Sequence, residues 1–125
     1  GYPERIEGGA DFLDLAVIGK LNFSAPDHAR FPCLTLARQA LRAGGSAPTV
    51  LNAANEVAVA AFLERRLRFD QIPALIAYVL ADVAVEPLYA LEDVFIADRR
   101  AHESAAAWLA RNSAGAKPQA LGVTA

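Results

Sequence analysis

Methionine is absent from all 125 residues, position 1 included, and cysteine and tryptophan occur once each. A primary translation product starts with Met, so the sequence is expected to come from a longer one. A lone thiol, Cys33, allows no internal disulfide and fits a reducing compartment. Basic excess is also missing. Twelve Lys+Arg face fourteen Asp+Glu, for a net charge of −2. No basic stripe is left to neutralise a phosphate backbone, so a nucleic-acid partner is not expected. No apolar run approaches the roughly twenty residues of a membrane span; the run from Pro73 to Ala81 is closed by Asp82. Gly1-Tyr2-Pro3-Glu4-Arg5 has neither the apolar core of a signal peptide nor the acid-poor character of a transit peptide. No G-x-G-x-x-G, Walker or G-x-S-x-G pattern occurs, so no phosphate cradle or nucleophile elbow can be named.

What is present is apolar and rich in small residues. Hydrophobic residues make up 54%, charged ones 21%, and mean hydropathy is +0.24. This excludes disorder for most of the chain. A chain of this length buries roughly two thirds of its unfolded surface, enough for one core. Twenty-eight residues are alanine, so much of the apolar content is helix-forming methyl groups.

The pattern predicts four helices behind an extended leader. In residues 1–31, Gly8-Gly9 and Pro26 punctuate short apolar groups: Phe12, Leu13, Leu15, Val17, Ile18, Leu21 and Phe23. The segment reads as a linker pinned to something by these side chains. Leu21-Asn22-Phe23 alternates as a short strand does, and Ser24-Ala25-Pro26-Asp27 reads as a turn. Pro32 suits the first position of a helix, with Leu34, Ala37, Ala40 and Leu41 on one face and a stop at Gly44-Gly45. A second helix follows Pro48. From Val57 to Leu63 every residue is apolar, which predicts a central helix with no face for water. Asp70 is the expected N-cap of a third helix, with Pro73 in its first turn. Ile72, Leu75, Ile76, Val79, Leu80 and Val83 give its buried stripe, and Glu86-Pro87 its end. The fourth starts near Leu91, with Glu92 and Asp93 at its positive end. Its stripe is Val94, Ala97, Ala101, Ala105 and Trp108, and Asp98/His102 and Arg99/Glu103 pair on the wet side. The expectation is an all-α fold: a four-helix bundle-like domain over 32–111, preceded by the linker of 1–31 and followed by a flexible tail, 112–125.

Few residues carry a chemical signal. His28 and His102 have no partner at recognised ligand spacing and read as surface histidines. Cys33 sits at a helix start, where the dipole can lower a thiol pKa, but no base can be placed beside it; a structural thiol is the preferred reading. Asn52, Asn55 and Glu56 are the unusual feature. At i, i+3 and i+4 they share a stripe at the start of the predicted central helix. They could form a polar site of two amides and a carboxylate. The preferred reading is a structural polar network tying that helix start to the linker or the preceding helix, because buried polar groups need partners.

Longer motifs resemble a known family in order along the chain. Tyr2-Pro3-Glu4-Arg5, Leu13-Asp14-Leu15, Ile18-Gly19-Lys20-Leu21-Asn22-Phe23 with Pro26-Asp27, and Arg30-Phe31-Pro32-Cys33-Leu34 with Leu36-Ala37 come first. The thirteen residues Leu51-Asn52-Ala53-Ala54-Asn55-Glu56-Val57-Ala58-Val59-Ala60-Ala61-Phe62-Leu63 are the most specific stretch. Phe69, Ile72 and Leu91-Glu92-Asp93-Val94 complete the series. Together they resemble the C-terminal part of the 1-deoxy-D-xylulose 5-phosphate reductoisomerase family. The resemblance implies an NADPH-dependent enzyme, with Mg or Mn, that makes 2-C-methyl-D-erythritol 4-phosphate for non-mevalonate isoprenoid biosynthesis. It implies a cytoplasmic bacterial homodimer. It also implies that residues 1–31 end the catalytic domain and form its linker, and that the Rossmann domain, acidic metal ligands, phosphate-binding residues and mobile loop all precede this stretch. No position here matches those motifs, so no catalytic, cofactor-binding or metal residue is assigned, and the chain alone is expected to be inactive. Its partner is then the remainder of the same enzyme. The alternative is an independent helical interaction module; a small enzyme using Asp27, His28 and Cys33 ranks last.

Overall fold

The computed structural model describes residues 8–9 and 13–112. Tyr2-Pro3-Glu4-Arg5, Phe12 and the tail beyond Asn112 lie outside them. The described residues form five α-helices and one 3-10 turn: α1 Leu15–Ile18, α2 Pro32–Ala43, α3 Ala47–Leu63, a 3-10 turn Phe69–Gln71, α4 Ile72–Asp82 and α5 Leu91–Asn112. No strand occurs among them, so Leu21-Asn22-Phe23 stays unpaired in exposed, irregular chain.

The fold is all-α, as expected. α3 packs against α2, α4 and α5, and α4 against α2 and α5. Val50, Leu75 and Val79 are fully buried at the centre. Around them stand alanines with no exposed surface: Ala53, Ala54, Ala58 and Ala61 of α3, and Ala101 and Ala105 of α5. The alanine excess is thus core material. A methyl group at each contact lets helix axes approach closely while still excluding water.

α3 is central but not surrounded. Its buried stripe runs Val50, Ala53/Ala54, Ala58, Ala61, while Val59, Ala60, Phe62 and Leu63 are exposed. The expectation of a helix with no wet face is corrected here. Three neighbouring helices cover one side of a cylinder, and the remaining side is left exposed among the described residues.

Local signals set most boundaries. Pro32 occupies the first turn of α2, and Gly44 closes it at φ 68°, its N–H donating to the Ala40 carbonyl at 3.1 Å. Gly45 follows at φ 50°, where a Cβ would stand 2.6 Å from the Glu86 carbonyl oxygen. That close approach is part of a pin between distant loops. The Ser46 N–H donates to the Glu86 carbonyl at 2.9 Å, and the Glu86 N–H donates back to Ser46 Oγ at 2.9 Å. Arg100 adds an ion pair to Glu86 at 3.1 Å.

Two predicted ends differ. Asp70 does not cap α4; it lies inside the 3-10 turn and pairs with the Arg68 guanidinium at 2.9 Å. The Gln71 side chain instead accepts the Arg68 N–H at 3.0 Å. α4 then stops at Asp82, before Glu86-Pro87. Val83 is extended, with ψ 118°, which keeps its side chain in the core, and the Ser46 pin holds Glu86 out of any helix. α1 was not foreseen. Asp14 caps it, accepting from the Ala16 and Val17 N–H groups at 2.9 and 3.2 Å, and none of its residues is buried.

Candidate functional site

Helical spacing does place Asn52, Asn55 and Glu56 on one stripe of α3, but that stripe faces outward. All three are exposed, while Ala53 and Ala54 between them are fully buried. The reason is the 100° step of the helix: the alanines take the core side, and the polar residues fall opposite. Asn52 Nδ2 donates to Glu56 Oε1 at 2.9 Å, one turn along. The Asn55 amide has no hydrogen-bond partner among the described residues. The expected tie to the linker or to α2 is not made among the described residues, and exposure removes the physical need for it, since water satisfies these groups. Beside Asn52 an open groove of about 480 Å³ runs between α3 and α5, lined by Pro48, Thr49, Val94, Phe95 and Asp98.

The remaining candidates do not converge. The Asp27 carboxylate accepts the Ala29 and Arg30 N–H groups at 3.0 and 2.9 Å and closes a turn. His28 Nδ1 is 3.4 Å from Thr35 Oγ1, one turn into α2. Cys33 is half-buried against the core, and that burial pushes its thiol above the ordinary value, with its own backbone N–H acting in the opposite direction. A raised thiol pKa is the reverse of what a nucleophile needs. On α5, His102 Nδ1 lies 3.0 Å from the Asp98 carbonyl and 3.4 Å from its carboxylate.

Two features escaped the sequence. The Ser46–Glu86 pin joins positions forty residues apart, and only Gly44-Gly45 hinted at a tight backbone there. Ser104 Oγ donates to Asp82 Oδ2 at 2.6 Å, tying α5 to the end of α4; nothing local announces it. Both are structural ties. Among the described residues, no group of three or more His, Cys, Asp or Glu side chains could hold a metal ion, and no helix is long and apolar enough to cross a membrane.

Known proteins share this arrangement. Residues 1–104 match the family model of the DXP reductoisomerase C-terminal domain. A 1-deoxy-D-xylulose 5-phosphate reductoisomerase of Pseudomonas putida (strain W619) is 59% identical over 111 residues, which is 89% of this chain and 28% of that protein. One of Ralstonia nicotianae is 58% identical over 109 residues, 87% of this chain and 28% of its own. The chain therefore spans little more than a quarter of the length of these relatives. Among solved structures, the reductoisomerase of Zymomonas mobilis in complex with NADPH superposes with a TM-score of 0.77 at 42% identity, covering 86% of this chain and 29% of that one. A DOX-P reductoisomerase in complex with NADPH, fosmidomycin and magnesium gives 0.74 at 36% identity, covering 87% and 29%. With the helices in that order and the thirteen-residue α3 stretch at its centre, the chain belongs to the DXP reductoisomerase C-terminal domain family.

Proposed function

We propose that the chain serves as the helical supporting domain of a reductoisomerase that converts 1-deoxy-D-xylulose 5-phosphate to 2-C-methyl-D-erythritol 4-phosphate with NADPH. The match of residues 1–104 to the C-terminal domain of that family carries the reading. Residues 1–31 then link to the catalytic portion, 32–111 form the bundle, and 112–125 form a tail. The active assembly is a cytoplasmic homodimer of the whole enzyme, with no nucleic acid or membrane involved.

NADPH and magnesium occur in the solved relatives, and Mg or Mn suits a reaction in which two neighbouring substrate oxygens must be held. Among the described residues, no cluster of ligating side chains fits the metal. Acidic side chains are scattered over turns and helix surfaces, and no three of them meet. No step of the reaction is assigned to this chain. Its part is mechanical: a rigid bundle, and a leader whose apolar side chains hold it to the catalytic portion. Leu13, Leu15, Val17, Leu21 and Phe23 are exposed, Phe23 to 90%, which suits a surface that another body covers.

The test is a chimera in which this chain replaces the matching segment of the Pseudomonas putida relative. NADPH oxidation dependent on the sugar phosphate is expected from the chimera and not from the chain alone. Turnover by the chain alone would overturn the supporting role, and an inactive, folded chimera would overturn the family function for this chain.

A further inference from the structure

The outer face of α3 combines exposed apolar side chains with a single charge. Along it run Asn52, Asn55, Glu56, Val59 and Leu63, all exposed, Leu63 to 72%. At 1.5 Å rise per residue the stripe is about 17 Å long. Glu56 is the sole charged side chain in the seventeen residues of the helix. A helix side that faces solvent ordinarily carries charge, as α5 does with Arg99, Arg100 and Glu103. Charge is sparse on this face and its C-terminal half, Val59 and Leu63, is exposed and apolar; low charge beside exposed apolar groups is the composition of an interface. The Asn55 amide, without a partner among the described residues, supplies both a donor and an acceptor to whatever packs there.

We propose that this α3 face is the seat of the remainder of the reductoisomerase polypeptide, which touches it with an apolar surface edged by hydrogen-bonding groups opposite Asn55. The inference rests on the functional reading above and adds the face through which support is given. The occupant follows from size and charge. In the relatives, close to three quarters of the polypeptide lies outside the matched segment. A second copy docked symmetrically on the same stripe would set Glu56 against Glu56 near the two-fold axis, which like charges oppose.

The experiment compares thiol labelling in the chain alone and in the Pseudomonas putida chimera. Both carry Cys33→Ser, with either Val59→Cys or Leu63→Cys as the reporter and Arg99→Cys as the solvent-facing control. Labelling by a maleimide is expected to slow roughly tenfold or more at 59 and 63 in the chimera, as for a packed interface core, and to stay unchanged at 99. Equal rates at 59 and 63 in the two proteins overturn the docking face, even where the chimera turns over substrate. An inactive chimera in which 59 and 63 are protected retains the docking face and overturns only the functional reading.

Discussion

Arg65 stands two residues beyond Leu63, the end of α3, with φ 60°, the left-handed region that a side chain with a Cβ enters at a cost. The conformation lets the Arg66 N–H reach back to the Ala61 carbonyl at 2.8 Å and the Leu67 N–H to the same oxygen at 3.2 Å, so carbonyls at the helix end are satisfied. Glycine would do this more cheaply. Arg65→Gly is expected to stabilise the chain by about 0.5–1 kcal/mol, read as a rise of a few degrees in Tm. The run Glu64-Arg65-Arg66 announced a charged helix end, but not which residue would turn left-handed. That choice is made by Leu67, whose side chain must return to the core, where it is 5% exposed. Cys33 shows the same limit: its place at a helix start was legible, while the burial that raises its pKa depends on a neighbour packed from elsewhere.

At the scale of the element, α5 begins with a local device. The Tyr89 and Ala90 N–H groups donate to Asp93 Oδ2 at 2.8 and 2.9 Å. These bonds hold the Asp93 carboxyl below its ordinary value, against slight desolvation. A depressed pKa makes the contribution present above the unfolded carboxylate range and lost as pH falls through the folded value. Acid titration of Tm should therefore show a loss that Asp93→Asn removes, with the variant less stable than the parent at pH 7 and converging on it in acid. An unchanged gap from pH 7 down to strong acid would contradict this. Further along, Ala101 and Ala105 have no exposed surface, because α5 lies close to its neighbours. Ala101→Leu is expected to overpack this contact and cost about 1–3 kcal/mol, measurable as a lower urea midpoint. The helical stripes of α4 and α5 were readable because side-chain period alone sets them; on α2 the expected face fails, since Leu34, Ala37 and Leu41 are exposed and Cys33, Leu36 and Ala40 face the core, a rotation set by where α3 and α4 pack. The 3-10 turn before α4 was not, because the Arg68–Asp70 pair draws away the carboxylate that would otherwise cap.

The whole molecule is held by ties across long sequence distances. Ser46 is 1% exposed, and its hydroxyl and N–H bind the chain at Glu86 from both sides. Ser46→Ala leaves the Glu86 N–H without that acceptor and is expected to cost about 1–3 kcal/mol, with a parallel fall in Tm. Arg111 closes the far end, stacking over the Tyr78 ring at 5.3 Å and donating to its hydroxyl at 2.7 Å. These ties join α2–α3 to the segment after α4, and α4 to α5, so the helices are held to one another by more than apolar contact.

By itself the sequence determined that the chain is helical, where most helices start and stop, and the family its ordered motifs resemble. Those follow from local physics: side-chain period, proline without an N–H, glycine at positive φ, and contiguous residue identity. Only the tertiary structure decided which side of α3 is buried. Asn52, Asn55 and Glu56 are recognisable as a stripe from spacing alone, but whether a stripe faces core or water depends on where α4 and α5 pack. They pack on the alanine side, because methyl groups allow the closest approach, and that turns the amides and Glu56 outward.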